Sequence, residues 1–229
     1  MKKVGFIGGL GPPSTVDYYL GYIGRVRKAY GENCFPEFTV ENVNLAKVIN
    51  GISEKRYSDT ADYLLESIGN LKAAGAEIAA ITANTPHIVW DIMCERFPIP
   101  VISIIDASID EMKERDFRKV VVFGTQLTLE SGLYDSKMIK AGIEPVIPTD
   151  EDKKKIGDLI FPNLENGVII PEERDEMLAL AEKYITGSDA DAILLGCTEI
   201  PLVIKNGDVS VPVLDTAQIH LDAIFKAAQ

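Results

Sequence analysis

Short runs of consecutive apolar residues, separated by longer stretches with helical periodicity, most narrow what this chain can fold into. Val4-Gly5-Phe6-Ile7, Phe38-Thr39-Val40, Ile78-Ala79-Ala80-Ile81 and Val101-Ile102-Ser103-Ile104 come first. Val120-Val121-Val122-Phe123, Ala192-Ile193-Leu194-Leu195 and Val211-Pro212-Val213-Leu214 follow. Each is too short for a helix and does not alternate with polar residues. Such strands are covered on both faces, as in a parallel sheet flanked by helices. The helices between them are legible. Leu64, Leu65, Ile68 and Leu71 share one helical face, and Gly75 can take the left-handed position after it. Pro171 with Glu172 and Glu173 makes a first turn, because proline suits N1 and carboxylates complement the dipole. Met177, Leu178, Ala181, Tyr184 and Ile185 continue that helix, and Gly187 can stop it. The β-α-β-α alternation specifies an α/β protein with parallel sheets.

A chain of 229 residues suits one domain or two small ones. Its 23 basic and 35 acidic residues leave a net charge of −12, with no basic cluster. That excludes nucleic acid and anionic membrane surfaces as main partners, since phosphates need gathered Lys and Arg. No run reaches the roughly 18 apolar residues that a spanning helix needs. Met1-Lys2-Lys3 leads into glycine-rich sequence rather than a signal peptide. Cys34, Cys94 and Cys197 form no ligand-spaced set, and there are only two histidines, His87 and His220. A disulfide framework and a zinc site are therefore not expected, and the cytoplasm is the expected compartment.

Two segments echo one another. Residues 79–87 (AAITANTPH) and 192–201 (AILLGCTEIP) each run from a strand into a polar loop carrying Thr. In open α/β sheets ligands sit at such strand ends, and two of these loops could face each other across a cleft. Gly8-Gly9-Leu10-Gly11-Pro12-Pro13-Ser14-Thr15 follows the first strand. Its glycines allow close backbone approach, and Ser14 or Thr15 can cap the next helix and favour an anion. As a dinucleotide fingerprint it lacks the third glycine, although Glu41 could contact a ribose. In Thr82-Ala83-Asn84-Thr85-Pro86-His87, Asn84 and Thr85 offer donors to a carboxylate, or simply form a turn. Cys197 follows an apolar strand and precedes Thr198-Glu199-Ile200-Pro201. A thiol at a helix N-terminus can have a lowered pKa, so Cys197 is expected to alkylate faster than Cys34 or Cys94. The competing reading is an inert buried thiol.

Taken together, these loops resemble the aspartate/glutamate racemase family over essentially the whole chain. The resemblance rests on the GGLGPPST segment, on Asn84-Thr85-Pro86-His87 and on Gly196-Cys197-Thr198-Glu199, with Gly124-Thr125 and Asp215-Thr216 also fitting. It implies a cofactor-independent, metal-free racemase of two similar lobes with the site in the cleft between them. The expected lobes are residues 1–100 with 208–229, and 101–207. It further implies a small amino-acid or dicarboxylate substrate, aspartate or glutamate, and a homodimer. Cys197, Thr82 and Glu199 are the expected catalytic residues. Gly9, Leu10, Lys47, Asn84, Thr85, Thr125 and Thr198 are the expected substrate contacts.

Inverting a stereocentre needs acid and base on opposite faces, and the developing carbanion needs its carboxylate held by donors. Family members carry a cysteine immediately before the Asn; this chain has Ala83 there, and Thr82 is one residue early. Members often use a basic residue of the second-lobe loop to hold the side-chain carboxylate. Residues 163–170 (NLENGVII) contain none, which leaves Lys47 as the expected clamp. A single-cysteine decarboxylase or isomerase of the same fold, a non-catalytic carboxylate binder and a dinucleotide-dependent reductase are the alternatives.

Overall fold

A computed structural model describes residues 1–229. It separates into two compact units, Met1–Ala107 with Ala217–Gln229, and Ser108–Thr216.

The first unit holds β1 (Val4–Gly8), α1 (Pro12–Tyr30), β2 (Phe38–Asn42), α2 (Leu45–Ser53), α3 (Tyr57–Ala73) and β3 (Ile78–Ile81). A 3₁₀ turn (Thr85–Val89), α4 (Trp90–Met93) and β4 (Val101–Ile102) follow, and α5 (Ile104–Glu114) begins here. The four strands form a parallel sheet in the order β2-β1-β3-β4. Every residue of β1 and β3 is buried, as uninterrupted apolar runs require. Phe6 meets Tyr18, Tyr22 and Phe38 edge-to-face on one side. The predicted stripe of α3 is buried at Leu64, Ile68 and Leu71. Gly75 follows that helix at φ 87°, its amide donating to Lys72 and that of Ala76 to Leu71.

The second unit holds β5 (Lys119–Phe123), α6 (Gln126–Glu130), α7 (Asp135–Lys140), β6 (Glu144–Val146), α8 (Asp150–Ile160) and a 3₁₀ turn (Leu164–Asn166). Next come α9 (Pro171–Ser188), β7 (Ala192–Leu195), a 3₁₀ turn (Ile200–Leu202), β8 (Val213–Asp215) and the start of α10 (Thr216–Ala228). Its parallel order is β6-β5-β7-β8. Each unit therefore has two central strands from which the connections depart to opposite sides. The ends of those strands are the topological switch points at which open α/β sheets bind ligands.

Several expectations are corrected. The expected lobe boundaries are displaced. Val101–Ile102 pairs with β3, so it belongs to the first unit, and Val213–Asp215 pairs with β7, so it belongs to the second. The run 101–104 is a strand for two residues only; Ser103 then accepts from the Asp106 amide and caps α5. Gly187 does not stop α9, which runs to Ser188 and ends on Asp189 at φ 56°. Neither Ser14 nor Thr15 caps α1, because Pro12 opens that helix.

Candidate functional site

In the first unit the loops after β1 and β3 are laced together. The Ser14 hydroxyl donates to the Thr82 carbonyl (2.8 Å). The Thr82 hydroxyl donates in turn to the Ile7 carbonyl (2.9 Å), which also accepts the Thr82 amide (3.0 Å). Thr82 is wholly buried and its proton is engaged at the strand end. Gly9 lies at φ 77°, where a Cβ would come 2.4 Å from the Val43 carbonyl, so only glycine fits. Its amide donates to the Thr15 hydroxyl, and Leu10 beside it is buried. Ala83 and Asn84 are buried and Thr85 is half-buried at the head of the 3₁₀ turn. Pro86 and His87 pack into the same turn, with His87 Nδ1 3.1 Å from the Ala83 carbonyl and its ring stacked on Trp90.

Three first-unit residues have other occupations. Lys47 is exposed at the start of α2, with its ammonium 5.0 Å from the centre of the Tyr63 ring. Glu41 accepts from the Asn70 amide (3.0 Å). His220 is sealed between the Tyr18 hydroxyl (2.7 Å) and the Ile102 carbonyl (2.9 Å), and burial pulls its pKa down to about 3.

In the second unit the ends of β5 and β7 are pressed together. The Gly196 amide donates to the Phe123 carbonyl (2.6 Å), and a Cβ on Gly124 would stand 3.2 Å from the Gly196 carbonyl. Thr125 caps α6, accepting from the Thr128 amide and donating to the Thr128 hydroxyl. Cys197, Thr198 and Glu199 follow β7, all buried. The Cys197 thiol donates to Glu199 Oε2 (3.1 Å) and the Thr198 hydroxyl to the same oxygen (3.0 Å).

This arrangement overturns the expected low-pKa thiol. Burial pushes the Cys197 thiol well up, and the negative charge of Glu199 pushes in the same direction, with Glu165 adding to it. The helical segment after Cys197 is a three-residue 3₁₀ turn, too short for the aligned peptides that stabilise an anion. Cys197 therefore rests as a thiol. Cys34 and Cys94 are exposed and Cys197 is buried, so the expected order of alkylation is reversed.

Glu165 was not among the expected site residues. It lies on the Leu164–Asn166 turn and is half-buried. Its carboxyl is pushed up to about 8 by desolvation and then by the charge of Glu199. Only the acidic residue in a loop without Lys or Arg hinted at it in the sequence. No group of three or more His, Cys, Asp or Glu side chains is placed to hold a metal ion, and no helix is long and apolar enough to cross a membrane.

Comparison with known proteins places this geometry. The model of the Asp/Glu/Hydantoin racemase family matches residues 7–224. The chain is 21% identical to the broad specificity amino-acid racemase RacX of Bacillus subtilis, over 93% of this chain and 92% of that protein. It is 28% identical to the glutamate racemase of Aquifex aeolicus, over 76% of this chain but only 66% of that protein. Among solved structures it resembles an aspartate racemase homologue from Pyrococcus horikoshii. There the identity is 36% and the TM-score 0.87, with 100% of this chain and 99% of the other covered. The aspartate racemase of Picrophilus torridus superposes with a TM-score of 0.80 at 25% identity, covering 100% of this chain and 94% of that one. With the family model spanning both units and both sets of strand-end loops, the chain belongs to the Asp/Glu/Hydantoin racemase family.

Proposed function

We propose that this protein is an isomerase that inverts the α-carbon of an amino acid without cofactor or metal, with Cys197 as the acid–base group on one face. The observation that carries this reading is the Cys197 thiol donating to buried Glu199 at a central strand end. In the protonating direction the thiol gives its proton to the α-carbanion and becomes a thiolate. In the abstracting direction Glu199 takes the thiol proton, and the resulting thiolate removes the α-hydrogen. Such proton transfer contributes about 10²–10⁴-fold to rate. Asn84 and Thr85 are the side-chain donors proposed for the substrate carboxylate, and Gly9 and Leu10 allow close backbone approach. Aspartate and glutamate, named for several relatives, are the substrates to test first, with Lys47 as the candidate clamp for a second carboxylate. The expected assembly is a homodimer, and the expected compartment the cytoplasm.

The test is solvent exchange. After chelation and dialysis, each pure enantiomer is incubated in deuterated buffer and α-hydrogen loss is followed by proton NMR. Exchange from both enantiomers, lowered by at least 100-fold in Cys197→Ala, is the expected result. Activity that returns only with a metal or nucleotide overturns the cofactor-free reading.

One observation favours a second reading. Ala83 carries no proton and the Thr82 hydroxyl donates to the Ile7 carbonyl, so the loop after β3 offers no thiol. A one-sided enzyme of this fold, a decarboxylase or isomerase that protonates a single face, would exchange only the enantiomer presented to Cys197.

A further inference from the structure

We propose that Tyr134 is a positioning residue for Cys197, holding through Thr216 and Gly196 the strand end that carries the thiol. This rests on the reading of Cys197 as the acid–base residue and names what fixes its backbone.

The Leu195–Gly196 peptide, just ahead of Cys197, is held at both of its polar groups. Leu195 is the last residue of β7 and pairs with Asp215. Its carbonyl accepts from the Thr216 hydroxyl (2.8 Å), and the Gly196 amide donates to the Phe123 carbonyl (2.6 Å). Tyr134 stands behind this peptide. A Cβ on Gly196 would lie 3.2 Å from Tyr134 Cε2 and 3.7 Å from Cδ2, so the ring rests against the Gly196 backbone. The Tyr134 hydroxyl is hydrogen-bonded to the side chains of Ser108 and Thr216. Those two are the first and last residues of the second unit, and all three side chains are buried. A threonine hydroxyl has one proton. That of Thr216 goes to Leu195, so Tyr134 is the donor between the two. Ring and hydroxyl of one residue therefore reach both sides of the same peptide.

Packing alone needs only the ring, which phenylalanine also has. The phenol oxygen lies in a dry interior, where it must be matched by partners. Burial raises its pKa, so it stays protonated and acts through hydrogen bonds rather than as an acid or base. Proton transfer at carbon tolerates little displacement, since a shift of about 1 Å can cost about 100-fold in rate. A restraint on the peptide ahead of Cys197 therefore bears on turnover.

The experiment compares the wild type with Tyr134→Phe, Thr216→Val, Thr216→Ser and the Tyr134→Phe/Thr216→Val double variant. Backbone amide exchange is followed by NMR. kcat and KM for α-hydrogen exchange are measured with aspartate, glutamate and alanine from about pH 6 to about pH 9. Tyr134→Phe and Thr216→Val should each speed exchange of the Gly196 amide about fivefold and leave the Val121 and Ile193 amides unchanged. Both should lower kcat about tenfold, with KM within about twofold and the shape of the pH profile unchanged. Thr216→Ser keeps the hydroxyl and should match the wild type in both readouts. The double variant should be no slower than Thr216→Val, because the two hydroxyls act in one chain. An unchanged kcat in both single variants overturns the inference, as does an equal acceleration of all core amides, which would mark Tyr134 as ordinary packing. A change in the shape of the pH profile also overturns it, by making Tyr134 a titrating group. A wild type that exchanges none of the three substrates removes the racemase reading itself, and the positioning role with it. Circular dichroism confirms folding, and the two Thr216 variants decide the matter should Tyr134→Phe not fold.

Discussion

Glu165 should make the second unit less stable as the pH rises through neutrality. Its folded pKa of about 8 lies above the ordinary 4.5, with burial and then Glu199 as the causes. An acid raised on folding keeps its proton in the native state after the unfolded chain has lost it. The native state then binds more protons, and stability falls as pH rises from about 4.5 to about 8. At about 1.36 kcal/mol per pH unit the full displacement corresponds to roughly 5 kcal/mol. The carboxyl is only half-buried, and solvent screening reduces that to about 2 kcal/mol. Glutamine mimics the protonated acid at every pH. Glu165→Gln should therefore match the wild type near pH 5 and exceed it by about 2 kcal/mol near pH 8.5. Cys197 titrates above this window and so contributes nothing to the difference within it. Urea unfolding at a series of pH values measures this, provided the signal reports the second unit. The only tryptophan, Trp90, lies in the first, so far-ultraviolet circular dichroism is the appropriate probe. A difference that stays constant within about 0.5 kcal/mol across the range would refute the argument, because it would mean that Glu165 titrates as an ordinary surface acid.

Other outcomes follow from single contacts. Gly9→Ala should destabilise the first unit by at least about 2 kcal/mol, from positive φ and the Val43 carbonyl, as an earlier urea midpoint followed by Trp90 fluorescence. Tyr22→Phe should stabilise by about 1 kcal/mol, because the Tyr22 hydroxyl is buried without a hydrogen-bond partner; a lower thermal midpoint contradicts this. Iodoacetamide at pH 7.5 should modify Cys34 and Cys94 before Cys197, as read by mass-mapped labelling. Thr82→Val should lower exchange by less than threefold if the hydroxyl only serves Ile7, whereas a loss of about 100-fold would assign it the second proton.

The fold was legible because its central strands are apolar on both faces, so β1, β3, β5 and β7 announce themselves without a partner. The strand that escaped notice, Glu144–Val146, sits at a sheet edge, carries Pro145 and is only partly covered. An edge strand needs no continuous apolar run and tolerates proline, so it leaves no such trace. Continuity also misled: 101–104 reads as one apolar segment, but Ile104 is buried as the first residue of a helix. Cys197, Thr198 and Glu199 could be picked out as candidates because they follow a strand closely. The state of the thiol could not, since it depends first on burial, which the sequence does not show, and then on the charge of Glu199.

The two units share a scaffold and divide the chemistry. Both order their strands alike, and in both the two central strand ends are tied across, by Ser14 and Thr82 in one and by the Gly196 amide in the other. The first unit carries neutral side chains there, Asn84 and Thr85, beside the Ser14 and Thr82 hydroxyls that already donate to the Thr82 and Ile7 carbonyls. The second offers the titratable set, Cys197, Glu199 and Glu165. Neutral donors hold a carboxylate without taking up its protons, whereas a thiol beside a carboxylate can exchange one. On the function proposed above, substitutions at Asn84 and Thr85 should act mainly on KM and substitutions at Cys197 and Glu199 mainly on kcat, as steady-state kinetics of the variants would show.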